Sequence, residues 1–424
     1  MSKLKVIETF SGIGAQAKAL ERLKIKHEIF AIADWDINAI IAYDLIHNGE
    51  QDLSKYVKMT RDEIIERLEN QYTLSPDGKN PFKEGGLRRT NIEVLRRVLC
   101  AIERCNNLVS ITDIKGRDIP ENIDLFTYSF PCQDLSIAGV WHGNMSGIDR
   151  DAHNRSGMLW EVERILKECV ENKQILPKFL LMENVRNITA SRHMGNFQEW
   201  IDYLENIGYH SHIYKLNASN FGIPQIRERV YMISIFIGTD SKERENKKII
   251  LNTYFKNHNL EDEHFARSLK FLKRKKIQDI IKNDYSRKDY KMEAKLSQLH
   301  DTPSRWKIIN DNDKIIENGK FTIQNIKTIT TKQDRNPNSG VVEFNYPAVG
   351  KVNYRYLTSR ECFLAMGFDE EDYEILIKNN IDIAKNRKLF SEGKLIKMAG
   401  NSITVNVLEA IFNQIMEIKD LLKV

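Results

Sequence analysis

A cysteine that follows a proline at the end of an apolar run is the most reactive group that the sequence offers. The run 123–128 (IDLFTY) predicts a short buried strand, and Pro131 ends that pattern just before Cys132. The thiol would then lie at the carboxyl end of a strand, where open α/β sheets bind their ligands. This position suits a nucleophilic thiolate, and a buried structural cysteine is the alternative interpretation.

A carboxylate follows a second apolar run in the same way. Residues 179–182 (FLLM) predict a buried strand that ends at Glu183. A charged group is costly beside such a run unless it is paired, so Glu183 is either an acid with a raised pKa or a partner of the following turn. Further on, Gln225, Arg227 and Arg229 alternate along a predicted strand and share one face. That face suits an anionic partner or a surface salt bridge.

The first elements of the chain predict a nucleoside-binding unit. A strand over residues 5–10 runs into a turn with Gly12 and Gly14, and an Ala-rich helix follows over 15–23. The next strand, 28–33, ends at Asp34, about 20 positions after the glycines, where such folds hold ribose hydroxyls. Trp35 offers a flat face to an adenine or packs in the core.

The composition is typical of a globular protein and does not identify its binding partner. The 424 residues are 41% hydrophobic and 29% charged, which suits two or three domains with a large core. A net charge of +5, from 64 basic and 59 acidic residues, neither demands nor excludes nucleic acid. The five scattered cysteines predict neither a disulfide framework nor a metal site. Without a signal peptide or a membrane span in the pattern, we expect a cytoplasmic protein.

Two polar stretches interrupt the α/β pattern, and a third begins a second domain. Residues 48–111 are an insertion with at least one helix, over 91–104, and form a solvated face or contact a DNA backbone. The glycine- and serine-rich stretch 133–155 is typical of a functional lid or of disorder. After about residue 257 a basic run and the polar loop 328–340 favour groove contacts. A turn at Gly400 and Asn401 then precedes a closing helix over 405–422.

Six short motifs follow one another along the chain. They are 10–14 (FSGIG), 129–133 (SFPCQ), 183–185 (ENV), 225–229 (QIRER), 360–368 (RECFLAMGF) and 400–402 (GNS). This set resembles the DNA (cytosine-5)-methyltransferases from residue 5 to about 415, and it lapses in the insertion and in most of 257–345. The first half is especially similar to the mollicute-type, restriction-modification members. The resemblance implies a Rossmann-like α/β methyltransferase domain and a smaller, mostly irregular or β target-recognition domain.

That resemblance implies a catalytic set. Cytosine C5 is a poor nucleophile, and a thiolate added at C6 turns the ring into an enamine that can accept a methyl group. Cys132 would be the nucleophile, Glu183 would hold the proton at N3, and Arg229 would contact the base carbonyl with support from Arg227. No neighbouring His or Lys activates the thiol of Cys132 in the sequence.

The methyl donor implied by the resemblance is S-adenosylmethionine. Its pocket would include Asp34 at the ribose, in place of the Glu that is common in the family. Trp35 and Ile114 would flank the adenine, and Asp113 would meet its amino group. The remaining residues expected to line the pocket are Phe10, Gly12, Ile13, Gly14, Pro131, Asn401 and Ser402.

Double-stranded DNA is the implied substrate, and its target base must be flipped out of the helix. Residues 133–155 would close over the DNA. The residues expected to contact DNA are Gln133, Ser136, Arg155, Asn184, Lys273, Arg274, Lys332, Gln333, Arg335 and Asn336. We expect a catalytic domain over 1–256, target recognition over 257–385 and a completing segment over 386–424. We also expect the protein to be a monomer and to have a cognate restriction endonuclease as its partner.

Two alternatives stay open. An RNA cytosine methyltransferase of the same fold is one, although the long basic second domain favours DNA. A DNA-binding protein without catalysis is the other, and it would be expected to lack Cys132 or Glu183. Methylation of an exocyclic amine is excluded, because the sequence has no Asp/Asn-Pro-Pro-aromatic motif.

Overall fold

A parallel βαβ unit begins the chain, and it is the first part of a six-stranded sheet. The computed structural model describes residues 3–131, 148–150 and 155–423. Strand β1 (Leu4–Thr9) leads through helix α1 (Ala15–Arg22) to β2 (His27–Ala33), as predicted within a residue. The other strands here are β3 (Leu125–Tyr128), β4 (Phe179–Val185), β5 (Tyr209–Asn217), the two-residue β6 (Gln225–Ile226), which joins another sheet, and β7 (Glu228–Phe236).

The strand order of this sheet is β2-β1-β3-β4-β7-β5. Strands β2, β1, β3 and β4 are parallel, so their carboxyl ends meet at one edge. Strand β7 runs antiparallel to both β4 and β5. Its amino-terminal end therefore returns to that same edge, where Arg229 pairs with Val185. The predicted α/β fold is confirmed, and the reversed strand brings a cation to the end of β4.

Helices cover both faces of the sheet. They are α2 (Ile37–Asn48), α3 (Ser54–Val57), α4 (Arg61–Gln71), α5 (Ile92–Cys105), α6 (Leu159–Glu171) and α7 (Ser191–Asn206). Helices α1, α2, α4 and α5 share one hydrophobic core, whereas α6 and α7 bury Leu159, Phe197 and Trp200 in the core of the opposite face. The helix predicted over 91–104 is confirmed as α5, and the insertion contains two further helices.

A set of helices and a second, five-stranded sheet follow β7 in the sequence. The helices are α8 (Ser241–Asn257), α9 (Glu263–Ser268), α10 (Ile277–Ile280), α11 (Lys288–Leu296) and α12 (Pro303–Asp311). The strands are β8 (Gln298–His300), β9 (Lys314–Glu317), β10 (Lys320–Phe321), β11 (Ile326–Lys327), β12 (Val341–Glu343) and β13 (Lys351–Arg355). The sheet order is β10-β9-β12-β13-β8, and β11 pairs with β6. The strands of this region were expected. The helices were not, because the apolar residues in this part of the sequence show little regular helical periodicity.

The last elements return to the first sheet. They are α13 (Ser359–Ala365), α14 (Glu370–Lys378), β14 (Asp382–Ala384), β15 (Arg387–Lys388), α15 (Glu392–Asn401) and α16 (Val405–Leu422). Helix α14 packs against α2, and α16 packs against α1. Lys18 Nζ lies 2.8 Å from Asp372 Oδ1, and Arg22 Nη2 lies 3.0 Å from Asp369 Oδ1. These contacts attach α14 and α16 to the helices of the first sheet, and the expected domain bounds stay a prediction.

The expected turn at Gly400 and Asn401 is wrong, because both residues end helix α15. A Cβ on Gly400 would lie 2.7 Å from the backbone of Thr330 and Thr331. Glycine is therefore needed so that the helix can approach the loop after β11. The closing helix over 405–422 is confirmed. No helix in the described residues is long and apolar enough to cross a membrane.

Candidate active site

The glycine turn after β1 forms one wall of a cavity at the carboxyl edge of the first sheet. Gly12 has φ +55°, and a Cβ there would meet nothing within 4 Å, because the position faces open space. Gly14 also has a positive φ, but a Cβ there would lie 2.1 Å from His47 Nε2. Gly12 and Ile13 line the cavity and Gly14 does not. The two glycines thus have different roles, ligand access and helix packing.

Asp34, at the end of β2, supports the glycine turn. Its Oδ2 accepts a hydrogen bond from the Gly12 N–H at 2.9 Å, and its Oδ1 accepts one from the Asp36 N–H at 2.9 Å. Burial, reinforced by the neighbouring Asp36 carboxylate, raises the pKa of Asp34 to about 7. Each carboxylate oxygen retains a second lone pair for a ligand hydroxyl. Asp34 and Trp35 both line the cavity, as predicted.

The cavity has a volume of about 270 Å³ and extends from the glycine turn to the ends of β3 and β4. Eleven residues of the predicted site line it, and these are Phe10, Gly12, Ile13, Asp34, Trp35, Pro131, Glu183, Asn184, Arg227, Arg229 and Asn401. Residues from widely separated segments therefore meet in one cavity.

The segment that precedes Cys132 is held against the rest of the edge by two hydrogen bonds. Ser129 Oγ donates to the Phe10 carbonyl at 3.4 Å, and Asn184 Nδ2 donates to the Phe130 carbonyl at 3.1 Å. Asn184 is only 2% exposed and lines the cavity, and its predicted contact with DNA stays a prediction. Cys132 itself lies outside the described residues.

Glu183 and Arg229 form the ionic pair of the cavity. Arg229 Nε lies 3.3 Å from Glu183 Oε1, and their side chains are 15% and 12% exposed. Burial raises the pKa of Glu183, while the nearby guanidinium groups of Arg229 and Arg227 oppose that rise. A buried carboxyl with a raised pKa next to a cation is suited to general acid–base chemistry.

Arg227 is a positioning residue in this structure. Its Nη1 donates to the Ile329 carbonyl at 3.0 Å, and its Nη2 donates to the Gly400 and Ser402 carbonyls at 3.1 and 2.8 Å. Only 4% of the residue is exposed. These carbonyls hold the guanidinium in place, and the expected support of a base contact stays a prediction, since Arg227 also lines the cavity. Gln225, on the same inward face, also spans segments, since its amide bonds Ala365 and Ile329.

Four predicted donor contacts fall outside the cavity lining, and Gly14 is the first of them. Asp113 is exposed, and Ile114 is buried in the core with helix α6, while Ser110, Ile111 and Thr112 line the cavity. Ser402 directs its hydroxyl to the Ile403 carbonyl. In the segment after α5, the residues that line the cavity therefore come just before the two that were predicted.

The predicted DNA contacts divide into several groups. Gln133 and Ser136, like the side chain of Arg155, lie outside the described residues. Lys273, Lys332, Arg335 and Asn336 are exposed, and their role stays a prediction. Gln333 is 0% exposed, and neither end of its amide has a hydrogen-bond partner. The Arg274 guanidinium bonds the carbonyls of Asn220, Ala266 and Arg267; the residue is exposed, and its contact with DNA stays a prediction.

Residues of the insertion and of helix α15 that the sequence motifs did not predict also line the cavity. Thr73 and Gly78 lie in the loop after α4, and Lys397 lies one turn before Asn401. No local pattern marks the loop, because its contacts are made with the turn after β2. The one sequence feature that could have predicted Lys397 as a site residue is its position three residues before the GNS motif.

A six-stranded α/β sheet with a reversed β7, a glycine turn after β1 and an acid after β2 defines a Rossmann-like methyltransferase domain. The family described as C-5 cytosine-specific DNA methylase matches residues 92–417, and the chain belongs to this family. The protein is therefore a DNA (cytosine-5)-methyltransferase, and S-adenosylmethionine is the methyl donor of the family.

Relatives match over nearly the whole chain. The orphan methyltransferase M.SssI of Spiroplasma monobiae is 34% identical over 97% of each chain. The type II methyltransferase M2.ScrFI of Lactococcus lactis subsp. cremoris is 32% identical over 98% of this chain and 99% of its own. The Dnmt2 methyltransferase of S. pombe has the same fold, with a TM-score of 0.56 at 16% identity over 98% of this chain and 99% of its own. The expected resemblance is confirmed.

Proposed function

We propose that the cavity at the carboxyl edge of the first sheet is the site where a flipped cytosine meets its methyl donor. The observation behind this proposal is that Gly12, Asp34, Pro131 and Glu183 line one continuous cavity. These residues come from the ends of four different strand segments. Donor and base can therefore be bound side by side, with Pro131 between them.

The residues present fit the donor. The open backbone at Gly12 admits close approach of a ligand, Asp34 has free lone pairs for ribose hydroxyls, and Trp35 offers an aromatic face. Phe10 and Asn401 complete this part of the cavity. When bound there, S-adenosylmethionine supplies a methyl group activated by a sulfonium.

The chemistry assigned to the protein begins with Cys132. Its thiolate adds to C6 of the cytosine, which forms a C6–S bond and makes C5 nucleophilic. Glu183 holds a proton at N3, so that negative charge does not accumulate on the ring. Arg229, 3.3 Å from Glu183, orients that carboxyl and the base carbonyl. Once C5 has been methylated, transfer of the C5 proton to water restores the C5–C6 double bond and breaks the C6–S bond, which releases the Cys132 thiolate.

We propose a division of labour between the two sheets. The first sheet and the segment from about 359 to 423 perform the reaction, and the second sheet with its helices recognises the target sequence. Exposed Lys332, Arg335 and Asn336 are the candidates for contacts in the major groove. Exposed Lys273 is the candidate for a phosphate contact, which positions without specifying. A cytoplasmic monomer paired with a restriction endonuclease is part of the same proposal.

Methyl transfer to defined substrates tests this function. The purified protein is incubated with methyl-tritiated S-adenosylmethionine and either duplex DNA or RNA, and the DNA is then bisulfite-sequenced. We expect 5-methylcytosine at one short sequence in duplex DNA. Duplex DNA with every cytosine already methylated at C5 is the control and should take up no label. Label confined to RNA, or label on another base, would overturn the proposal.

A further inference from the structure

The insertion after helix α2 reaches back to the cavity through one loop. We call residues 73–78, after helix α4, the cap loop. Thr73 and Gly78 of the cap loop line the cavity next to Asp34 and Trp35. The insertion was expected to form a solvated face or to contact DNA, and exposed Thr73, Pro76 and Asp77 give the cap loop a solvated side. It forms a wall at the end of the cavity where the nucleoside of the donor is proposed to bind.

Backbone hydrogen bonds attach the cap loop to the turn that follows β2. The Ser75 N–H donates to the Trp35 carbonyl at 2.8 Å, and the Ile37 N–H donates to the Ser75 carbonyl at 3.0 Å. Asn38 Nδ2 donates to the Pro76 carbonyl at 3.1 Å. Ser75 is 0% exposed. The cap loop is therefore bound to the same turn that presents Asp34 and Trp35 to the cavity.

Lys397 joins the cap loop to a third segment. Its Nζ lies 3.0 Å from Asp36 Oδ2, and it also donates to the Asp77 carbonyl. The side chains of Lys397 and Asp36 are 23% and 13% exposed, so solvent screens this pair only in part. Lys397 itself lines the cavity. One ammonium group thus connects helix α15, the turn after β2 and the cap loop.

The approach of the cap loop to Asp36 requires a glycine. Gly78 has φ +64°, a conformation that residues with a side chain rarely adopt. A Cβ at this position would lie 2.8 Å from Asp36 Oδ2 and 3.2 Å from Asp36 Cβ. A larger residue would therefore push the loop away from Asp36 and open the cavity.

We propose that Lys397 and the cap loop form the outer wall of the donor site and retain the bound donor. The ligand class is an adenosyl thioether or sulfonium, and Lys397 is a positioning residue that acts through Asp36 and the cap loop. This inference rests on the proposed assignment of the cavity to the methyl donor. Loss of the Lys397 contacts then speeds ligand dissociation, because the wall next to Asp34 and Trp35 is no longer held.

Binding of S-adenosylhomocysteine to the full chain tests this inference without a catalytic step. Affinity is measured by isothermal titration calorimetry, and the dissociation rate is measured by stopped-flow tryptophan fluorescence, to which Trp35 contributes. We expect Lys397→Met to raise both Kd and the dissociation rate roughly tenfold, equivalent to about 1.4 kcal/mol. Lys397→Arg, which keeps the cation, should recover most of the affinity. Lys83→Met, an exposed lysine of the same insertion, is the matched control and should bind like the wild type.

Two further measurements separate retention from a general loss of structure. In methylation assays, Lys397→Met should raise KM for the donor while kcat and the KM for DNA stay near the wild-type values. Gly78→Ala changes the cap loop without touching helix α15, and it should also weaken ligand binding. If the wild type fails to bind the ligand, the proposed donor site is overturned. If it binds and both Lys397→Met and Gly78→Ala bind equally well, the inference is overturned and the donor site stands.

Discussion

Replacing Arg227 by Met should destabilise the protein and should not act mainly through the base. The Arg227 guanidinium donates to the carbonyls of Ile329, Gly400 and Ser402, and the residue is 4% exposed. Met has a similar volume but no donor, so all three carbonyls would lose this partner inside the protein. These carbonyls belong to the loop after β11 and to the end of helix α15, which would separate from β7.

The size of the effect follows from the number of acceptors. A buried group that loses its hydrogen-bond partner costs about 1–3 kcal/mol, so three of them imply a loss of at least about 3 kcal/mol. Arg229→Lys is the matched control, because it keeps a cation beside Glu183 and loses only the bond to the Glu228 carbonyl. It should lower stability by about 1 kcal/mol and reduce methyl transfer far more.

Urea unfolding without DNA or donor measures this difference. The Arg227→Met midpoint should fall well below that of Arg229→Lys. Hydrogen exchange should also speed up at the Ile329 amide, which bonds the Gln225 side chain at 3.0 Å in the native protein. If Arg227→Met unfolds at the wild-type urea concentration and yet loses DNA binding, then Arg227 serves the substrate and the positioning role is refuted.

Three further variants test other parts of the structure. Gln333→Met should raise the free energy of unfolding, measured by thermal denaturation, by about 1–3 kcal/mol, because it removes a buried amide without partners. Lys332→Met, at an exposed neighbouring position, is the control and should change the free energy of unfolding little. Equal effects of the two variants would contradict this reasoning. Burial raises the pKa of Glu8 to about 7, so the folded state loses stability as the pH rises from about 4.5 to 7. The free energy of unfolding of Glu8→Gln should therefore increase relative to that of the wild type by on the order of 3 kcal/mol between pH 5 and 8. A difference that does not depend on pH would refute this prediction. Glu183→Gln should reduce methyl transfer about 10²–10⁴-fold in tritium assays and leave S-adenosylhomocysteine binding intact, and normal turnover would exclude it as the acid.

Local patterns were sufficient for the residues at the ends of strands. The apolar runs before Glu183 and Pro131 predicted buried strands, and parallel strands in one sheet must present their carboxyl ends at one edge. The turn with Gly12 was predictable for the same reason, since it joins a β-branched strand to an Ala-rich helix. These parts of the site depend on residues that are close in sequence.

Roles that depend on distant partners were not predictable from such patterns. Arg227 bonds carbonyls that lie 102 to 175 positions away, so the sequence shows an arginine on a strand and nothing of its acceptors. Gln333 lies in a polar loop that suggested exposure, yet packing buries it completely. The cap loop is defined by its pairing with the turn at Asp36, about 40 residues earlier in a different element.

Trapping of the covalent intermediate tests the central claim most directly. Duplex DNA with 5-fluorocytosine at the target position cannot lose a proton from C5 after methylation, so the bond between Cys132 and C6 should persist. With S-adenosylmethionine present, we predict a stable protein–DNA adduct, mapped to Cys132 by mass spectrometry and absent in Cys132→Ser, which should still bind DNA. No adduct across a library of duplex sequences, an adduct on another residue, or an active Cys132→Ser variant would contradict the mechanism.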